Sequence, residues 1–121
     1  MIGYVTLGTN DLSKSTAFYD ALLAEIGAKR MMEAETFVAW SNGGVGLGVI
    51  KPYDGDAATV GNGVMVALAV EKPEDVDKLY AKAIELGGKD EGPAGARGEG
   101  FYAGYFRDLD GNKLNFFCMT S

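Results

Sequence analysis

The chain has no histidine. Imidazole is the commonest metal ligand and the ordinary general base near neutral pH. Its absence therefore excludes Ser-His and Cys-His nucleophiles and every His-based zinc or iron site. The single cysteine, Cys118, excludes an internal disulfide and fits a reducing compartment. No apolar run approaches the ~18 residues a membrane-spanning helix needs, so no membrane partner is expected. Met1 leads straight into the strand-like IGYVTLG with no basic segment, and we expect no secretory leader and a cytoplasmic location. Positive charge is also scarce. Eleven Lys and Arg against seventeen Asp and Glu leave a net charge of −6. This balance disfavours nucleic acid, and none is expected as a partner, because phosphate binding needs clustered cations.

What is present is a globular composition, 47% apolar over 121 residues, enough for one domain with its own core. Ile2 to Thr9 alternates as a half-buried strand, with Val5 and Leu7 on one side and Tyr4 and Thr6 on the other. Asn10, Asp11 or Ser13 can cap a helix whose apolar face is Leu12, Ala17, Phe18, Leu22, Leu23 and Ile26. Lys29–Glu33, Thr36–Trp40 and Val45–Ile50 read as three strands, and residues 51–62 as a connector. The order then repeats. Gly63–Val70 is a strand, Pro73 opens a helix with Val76, Leu79, Tyr80, Ala83 and Ile84 on its apolar face, and a glycine-rich loop, GPAGARGEG, precedes a final hairpin. Sliding the chain on itself by about sixty residues pairs Val5 with Val66, Leu7 with Leu68, Tyr19 with Tyr80 and Gly27 with Gly88. A slightly longer shift pairs Gly48 with Asn115. The expectation is an α+β fold of two βαβββ modules, about 1–58 and 62–121 of a single domain spanning 1–121.

The hairpin FYAGYFRDLDGNKLNFFC turns at Asp108-Leu109-Asp110-Gly111-Asn112. Leu114, Phe116 and Cys118 point to one face and Asn115, Phe117 and Met119 to the other. A polar Asn115 among apolar neighbours suggests that its face borders a cleft. Asp108-x-Asp110-Gly111 is not a calcium loop, because the glycine comes too early and no bidentate glutamate follows. Gly98-x-Gly100 leads into a strand and is not a dinucleotide fingerprint. Cys118 has no basic neighbour in sequence and reads as a core thiol.

Tyr105-Phe106-x-Asp108-x-Asp110-Gly111-Asn112-x-x-Asn115 resembles the C-terminal hairpin of the vicinal-oxygen-chelate superfamily, which includes glyoxalase I, ring-cleaving dioxygenases and bleomycin-binding proteins. The resemblance covers essentially the whole chain. It implies a curved mixed sheet around a cleft, helices on the outer face, and frequent homodimers. It also implies that the family's metal-ligand positions fall on Tyr4, Gly48, Met65 and Asn115, the last where the family carries glutamate. Phenol, thioether, neutral amide and glycine are a poor set for a divalent ion, so neither metal nor another cofactor is expected. Tyr105 matches a tyrosine that lines the family's cleft. Trp40, Phe37, Phe101 and Phe117 can stack a planar ligand or serve as core. Arg97 can reach over the cleft mouth or stay solvated, and Glu33, Glu35 and Glu99 are weaker acid candidates.

The expected ligand-binding set is thus Tyr4, Trp40, Gly48, Met65, Tyr105, Asn115 and Phe117, with no catalytic residue assigned. The partner it suggests is a small molecule, cationic or aromatic. A metal-independent binding protein of the bleomycin-resistance type ranks first. A family enzyme with metal-free chemistry and a non-catalytic interaction module are the alternatives.

Overall fold

The computed structural model describes residues 1–120. The first unit, Met1–Val60, runs β1 (Tyr4–Gly8), α1 (Leu12–Ala24), β2 (Lys29–Ala34), β3 (Phe37–Ser41) and β4 (Gly46–Ile50). The second unit, beginning at Gly61, runs β5 (Val66–Ala69), α2 (Pro73–Glu85), β6 (Lys89–Ala96), β7 (Phe101–Arg107) and β8 (Lys113–Met119). Each unit is a βαβββ module with the same sheet order, β1-β4-β3-β2 and β5-β8-β7-β6, and neither sheet closes into a barrel. In both, the first strand pairs in parallel with the last and the other pairs are antiparallel. A helix crossover makes the parallel pair possible, since two parallel strands cannot be joined by a tight turn. Among the described residues no helix is long and apolar enough to cross a membrane.

The register reproduces the internal repeat. Val5 pairs with Leu47 as Val66 pairs with Leu114, and Thr6 with Gly48 as Ala67 with Asn115. Leu7 pairs with Val49 as Leu68 pairs with Phe116. Partners in a sheet share a face, so the register also says which side chains meet the helix. Trp40 and Leu47 lie opposite each other, as do Phe106 and Leu114. Around them sit the two cores: Tyr19, Leu22, Leu23, Val38 and Val49 with α1, and Val76, Leu79, Ala83, Phe116 and Cys118 with α2.

α1 starts at Asp11, whose carboxylate accepts from the Lys14 amide at 3.1 Å and so satisfies one of the orphan N–H groups of the first turn. α2 has no side-chain cap. Pro73 in its first turn needs no acceptor, and Glu74 and Asp75 face the positive end of the helix dipole. The close approach of α2 to its sheet depends on Gly104, where a Cβ would lie 3.0 Å from Tyr80 Cβ. In the connector, Asn10 grips the backbone of Ala58 at both ends of its amide, at 3.2 and 2.7 Å.

One expectation needs correction. The glycine-rich GPAGARGEG is mostly strand: β6 continues through Ala96, and only Arg97–Gly100 turns. β6 is an edge strand, where Pro93 costs no interior ladder bond. Its register shifts at Asp90–Gly92 and again before Gly95. Gly92 takes φ +151°, and Asp90 Oδ1 fixes the bulge by accepting from the Gly92 amide at 2.7 Å. Irregular pairing is what concealed this strand from a period-two reading.

Candidate functional site

The β7–β8 turn is built by one buried carboxylate. Asp108 Oδ1 accepts from the amides of Asp110 and Asn112, both at 2.9 Å, and Oδ2 accepts from Asn112 Nδ2 at 3.0 Å. Gly111, at φ +90°, completes the reversal. With its lone pairs spent on the turn, Asp108 serves architecture. It fixes the register that sets Tyr105 opposite Asn115, Ala103 opposite Phe117 and Arg107 opposite Lys113, all on the face of the sheet turned away from α2.

On that helix-free face, β8 presents Lys113, Asn115 and Phe117 in sequence, each about 6.8 Å beyond the last. Asn115 is 1% exposed, yet among the described residues its Oδ1 has no hydrogen-bond partner. Beside it stands Tyr105, half-buried, with two cations on its ring: Arg97 Cζ at 5.5 Å and Lys113 Nζ at 5.6 Å from the centroid. On the other side of Asn115, Phe117 stacks with Phe101, with centroids 5.6 Å apart and planes 24° from parallel. Arg107 donates to Glu91 at 2.6 Å and to the Gly111 carbonyl at 3.0 Å. That hydrogen bond, more than any other influence, holds the Glu91 carboxyl below its ordinary range.

The helix-free face of the first unit is different in kind. Tyr4 is 65% exposed and pairs with Gly46; Gly48 pairs with Thr6 and Ala39. The space a side chain would fill at Gly48 is taken by the Phe37 ring, whose Cε2 would lie 2.5 Å from an added Cβ. At Gly46 the same space holds Met31 Sδ. No charge or unpaired amide stands at these positions.

Trp40 was expected beside Tyr4 and Gly48, and the structure corrects this. It is 2% exposed and lies on the helix side, 5.6 Å from the Tyr19 ring, its Nε1–H donating to Asp20 Oδ1 of α1 at 2.8 Å. Arg30 of β2 binds the same carboxylate through two N–H groups, at 3.0 and 2.6 Å. Chiefly through Arg30, and further through Trp40, the Asp20 pKa is lowered. A buried indole N–H requires an acceptor, and the helix supplies it. Of the other expected residues, Met65 precedes β5 by one position, and Tyr105, Asn115 and Phe117 share the helix-free face of the second unit. Lys113 went unnoticed in the sequence, although it precedes Asn115 by two residues and so shares its face. Arg97 lies half-buried over the Tyr105 ring. Glu33 is tied to Arg30 at 2.5 Å, and Glu35 and Glu99 are exposed on turns. Cys118 faces α2, where burial pushes its thiol pKa up, with Glu74 and Asp75 adding to the effect.

The positions that the resemblance assigns to a metal carry a phenol, no side chain, a thioether and an amide. Among the described residues no group of three or more His, Cys, Asp or Glu side chains could hold an ion. These residues do not fit the family's divalent metal.

Comparison with known proteins places this geometry. The family model for the Glyoxalase/Bleomycin resistance protein/Dioxygenase superfamily matches residues 1–116. Among solved structures, a glyoxalase/bleomycin resistance protein from Albidiferax ferrireducens T118 is 35% identical, with a TM-score of 0.92 and 99% of both chains covered. A hypothetical protein from S. aureus is 31% identical at a TM-score of 0.78, over 98% of this chain and 92% of that one. A family enzyme from Burkholderia phytofirmans PsJN shares the fold at a TM-score of 0.81 with 19% identity, over 98% of each chain. No curated protein matches. The chain belongs to the glyoxalase/bleomycin resistance protein/dioxygenase superfamily.

Proposed function

We propose that this chain is a metal-independent small-molecule binding protein of the bleomycin-resistance type, with Asn115 at the centre of its site. The observation that supports this is the orphaned amide oxygen of Asn115. Leaving such a group buried without a partner costs about 1–3 kcal/mol. Native cores keep few of them, and functional sites are where they are kept; a ligand reaches this buried oxygen only as the side chains covering it move aside. An amide both donates and accepts, so this position takes a neutral or an anionic group where a carboxylate would only accept. Tyr105 and Phe117 add aromatic surface, and ligand sites are commonly apolar with a few convergent polar groups. A family enzyme with metal-free chemistry would need a base or nucleophile here, and the one carboxylate the face's bonds bring in, Glu91, is committed to Arg107. The exposed Tyr4, Met31, Met32 and Val45 of the first unit support a homodimer, which light scattering coupled to gel filtration would test.

The binding reading is tested by a thermal-shift screen of small aromatic and charged metabolites against wild type and Asn115→Ala. A ligand at 100 times its Kd adds ~2.7 kcal/mol of stability, a shift of several degrees for a domain of this size. We expect hits that Asn115→Ala abolishes. Hits that bind Asn115→Ala and Tyr105→Phe as well as wild type would place the ligand elsewhere.

A further inference from the structure

Resting on that reading of the Asn115 site, we infer that its ligand is an aromatic carboxylate, its anionic end received between Arg97 and Lys113 and its ring against Phe117. The chain has three arginines and an acidic balance, so an arginine without an acid is conspicuous. Arg30 is bound to Asp20 and Glu33, and Arg107 to Glu91. Among the described residues Arg97 bonds only carbonyls, Pro93 O at 2.5 Å and Ala96 O at 3.4 Å. Those bonds hold the guanidinium against its own strand in a berth that two glycines keep open. A Cβ at Gly92 would lie 3.3 Å from Arg97 Nη2, and one at Gly95 would lie 3.2 Å from Nη1. The side chain is therefore ordered before any ligand arrives, which removes part of the entropic cost of binding.

Lys113, also without an ion pair at contact distance among the described residues, shares the Tyr105 ring with Arg97. Two cations on one ring repel each other. Glu91 is the acid beside them, and it is committed to Arg107 while Lys113 contributes only a weaker attraction to it. Among the described residues neither Arg97 nor Lys113 has an acid at contact distance, and an added anion would balance the pair. Guanidinium and ammonium together suit a carboxylate, the first by its fork of N–H donors and the second as a point charge.

The strip along β8 extends the argument to the rest of the ligand. Cation, amide and stacked aromatic follow one another over about 13 Å, the length of four strand residues. A molecule with a carboxylate at one end and a planar apolar group at the other matches that order.

The test is an NMR titration of the isotope-labelled protein with benzoate, phenylacetate and hydrocinnamate, each against its primary amide. We expect at least one carboxylate to shift the Asn115 side-chain amide and Tyr105 signals. Its amide should bind about tenfold more weakly, and added salt should narrow the gap. Arg97→Gln and Lys113→Gln should each weaken the carboxylate about tenfold and leave the amide unchanged. Asn115→Ala should weaken both. Amides binding as tightly as carboxylates, or glutamine variants binding carboxylates as wild type does, would overturn the anionic assignment and leave the Asn115 site standing. If no member of either series moves Asn115 or Tyr105, the aromatic-carboxylate assignment falls, and the binding reading stands or falls by the thermal-shift screen.

Discussion

The two units share strand order, pairing and helix placement, and differ on the face each sheet turns away from its helix. On the helix side the equivalences are close: Trp40 stands where Phe106 stands, Leu47 where Leu114 does, Tyr19 where Tyr80 does. Packing against a helix admits few solutions, because interiors are close-packed and sensitive to single methylenes. On the helix-free side the equivalent positions have diverged. Gly48 is roofed by the Phe37 ring, and Asn115 carries an unpaired amide beside a tyrosine flanked by two cations. Even the shared core uses different polar ties. Asp20 of α1 joins Arg30 and Trp40, whereas Tyr80 of α2 donates to Asp90 of β6 at 2.8 Å. The repeated architecture is a scaffold, and the proposed binding site lies on one copy of it.

The equivalence of the cores can be broken most forcefully at Trp40 and Phe106. Each truncated to alanine should lose about 3–5 kcal/mol in urea unfolding, as deep core aromatics do. A Trp40→Ala loss below about 1 kcal/mol would return that residue to the ligand side. A smaller effect separates the glycines. Gly104→Ala should cost about 1–3 kcal/mol by overpacking, because the atoms it meets are the Cβ and ring of Tyr80, held on a helix. Gly48→Ala should cost less, since the nearest atom is the outer edge of the Phe37 ring, which can swing aside. Equal losses at the two sites would mean that the two faces are packed alike.

The smallest effect tests the polar ties. Asp20→Asn keeps an acceptor for the Trp40 indole but removes the charge that Arg30 and Trp40 hold, and should cost about 1 kcal/mol at neutral pH. Because the native pKa of Asp20 is depressed, its contribution is fully present above the unfolded value of about 4 and fades as pH falls through the native value. Stability curves of wild type and variant should therefore converge in acid. Parallel curves down to the lowest tolerated pH would remove Asp20 from the account.

How much of this could be read from the chain alone depended on periodicity. Val5, Leu7, Val66 and Leu68 alternate cleanly, so the strands, the repeat and the helix-facing register of Leu114 and Phe116 were legible. The Gly48–Asn115 equivalence followed from the same shift. β6 was not legible, because two register shifts and the breakers Gly92, Pro93 and Gly95 erase its alternation. Trp40 was misplaced because an aromatic residue on a strand carries no mark of its face until the register with Leu47 is known. Lys113 was missed for a different reason: a lysine near a turn reads as solvated, and only the Tyr105 ring beneath it shows otherwise.

The most direct test of the central claim, that Asn115 is retained for binding at a cost in stability, is urea unfolding of Asn115→Leu against wild type. Replacing a buried, unpaired amide with an apolar side chain of similar size removes a desolvation penalty and leaves the fold's hydrogen bonds intact. The account predicts a variant more stable than wild type by about 1 kcal/mol. A variant less stable by about 1–3 kcal/mol would show that the amide is bonded within the native fold, and would contradict it.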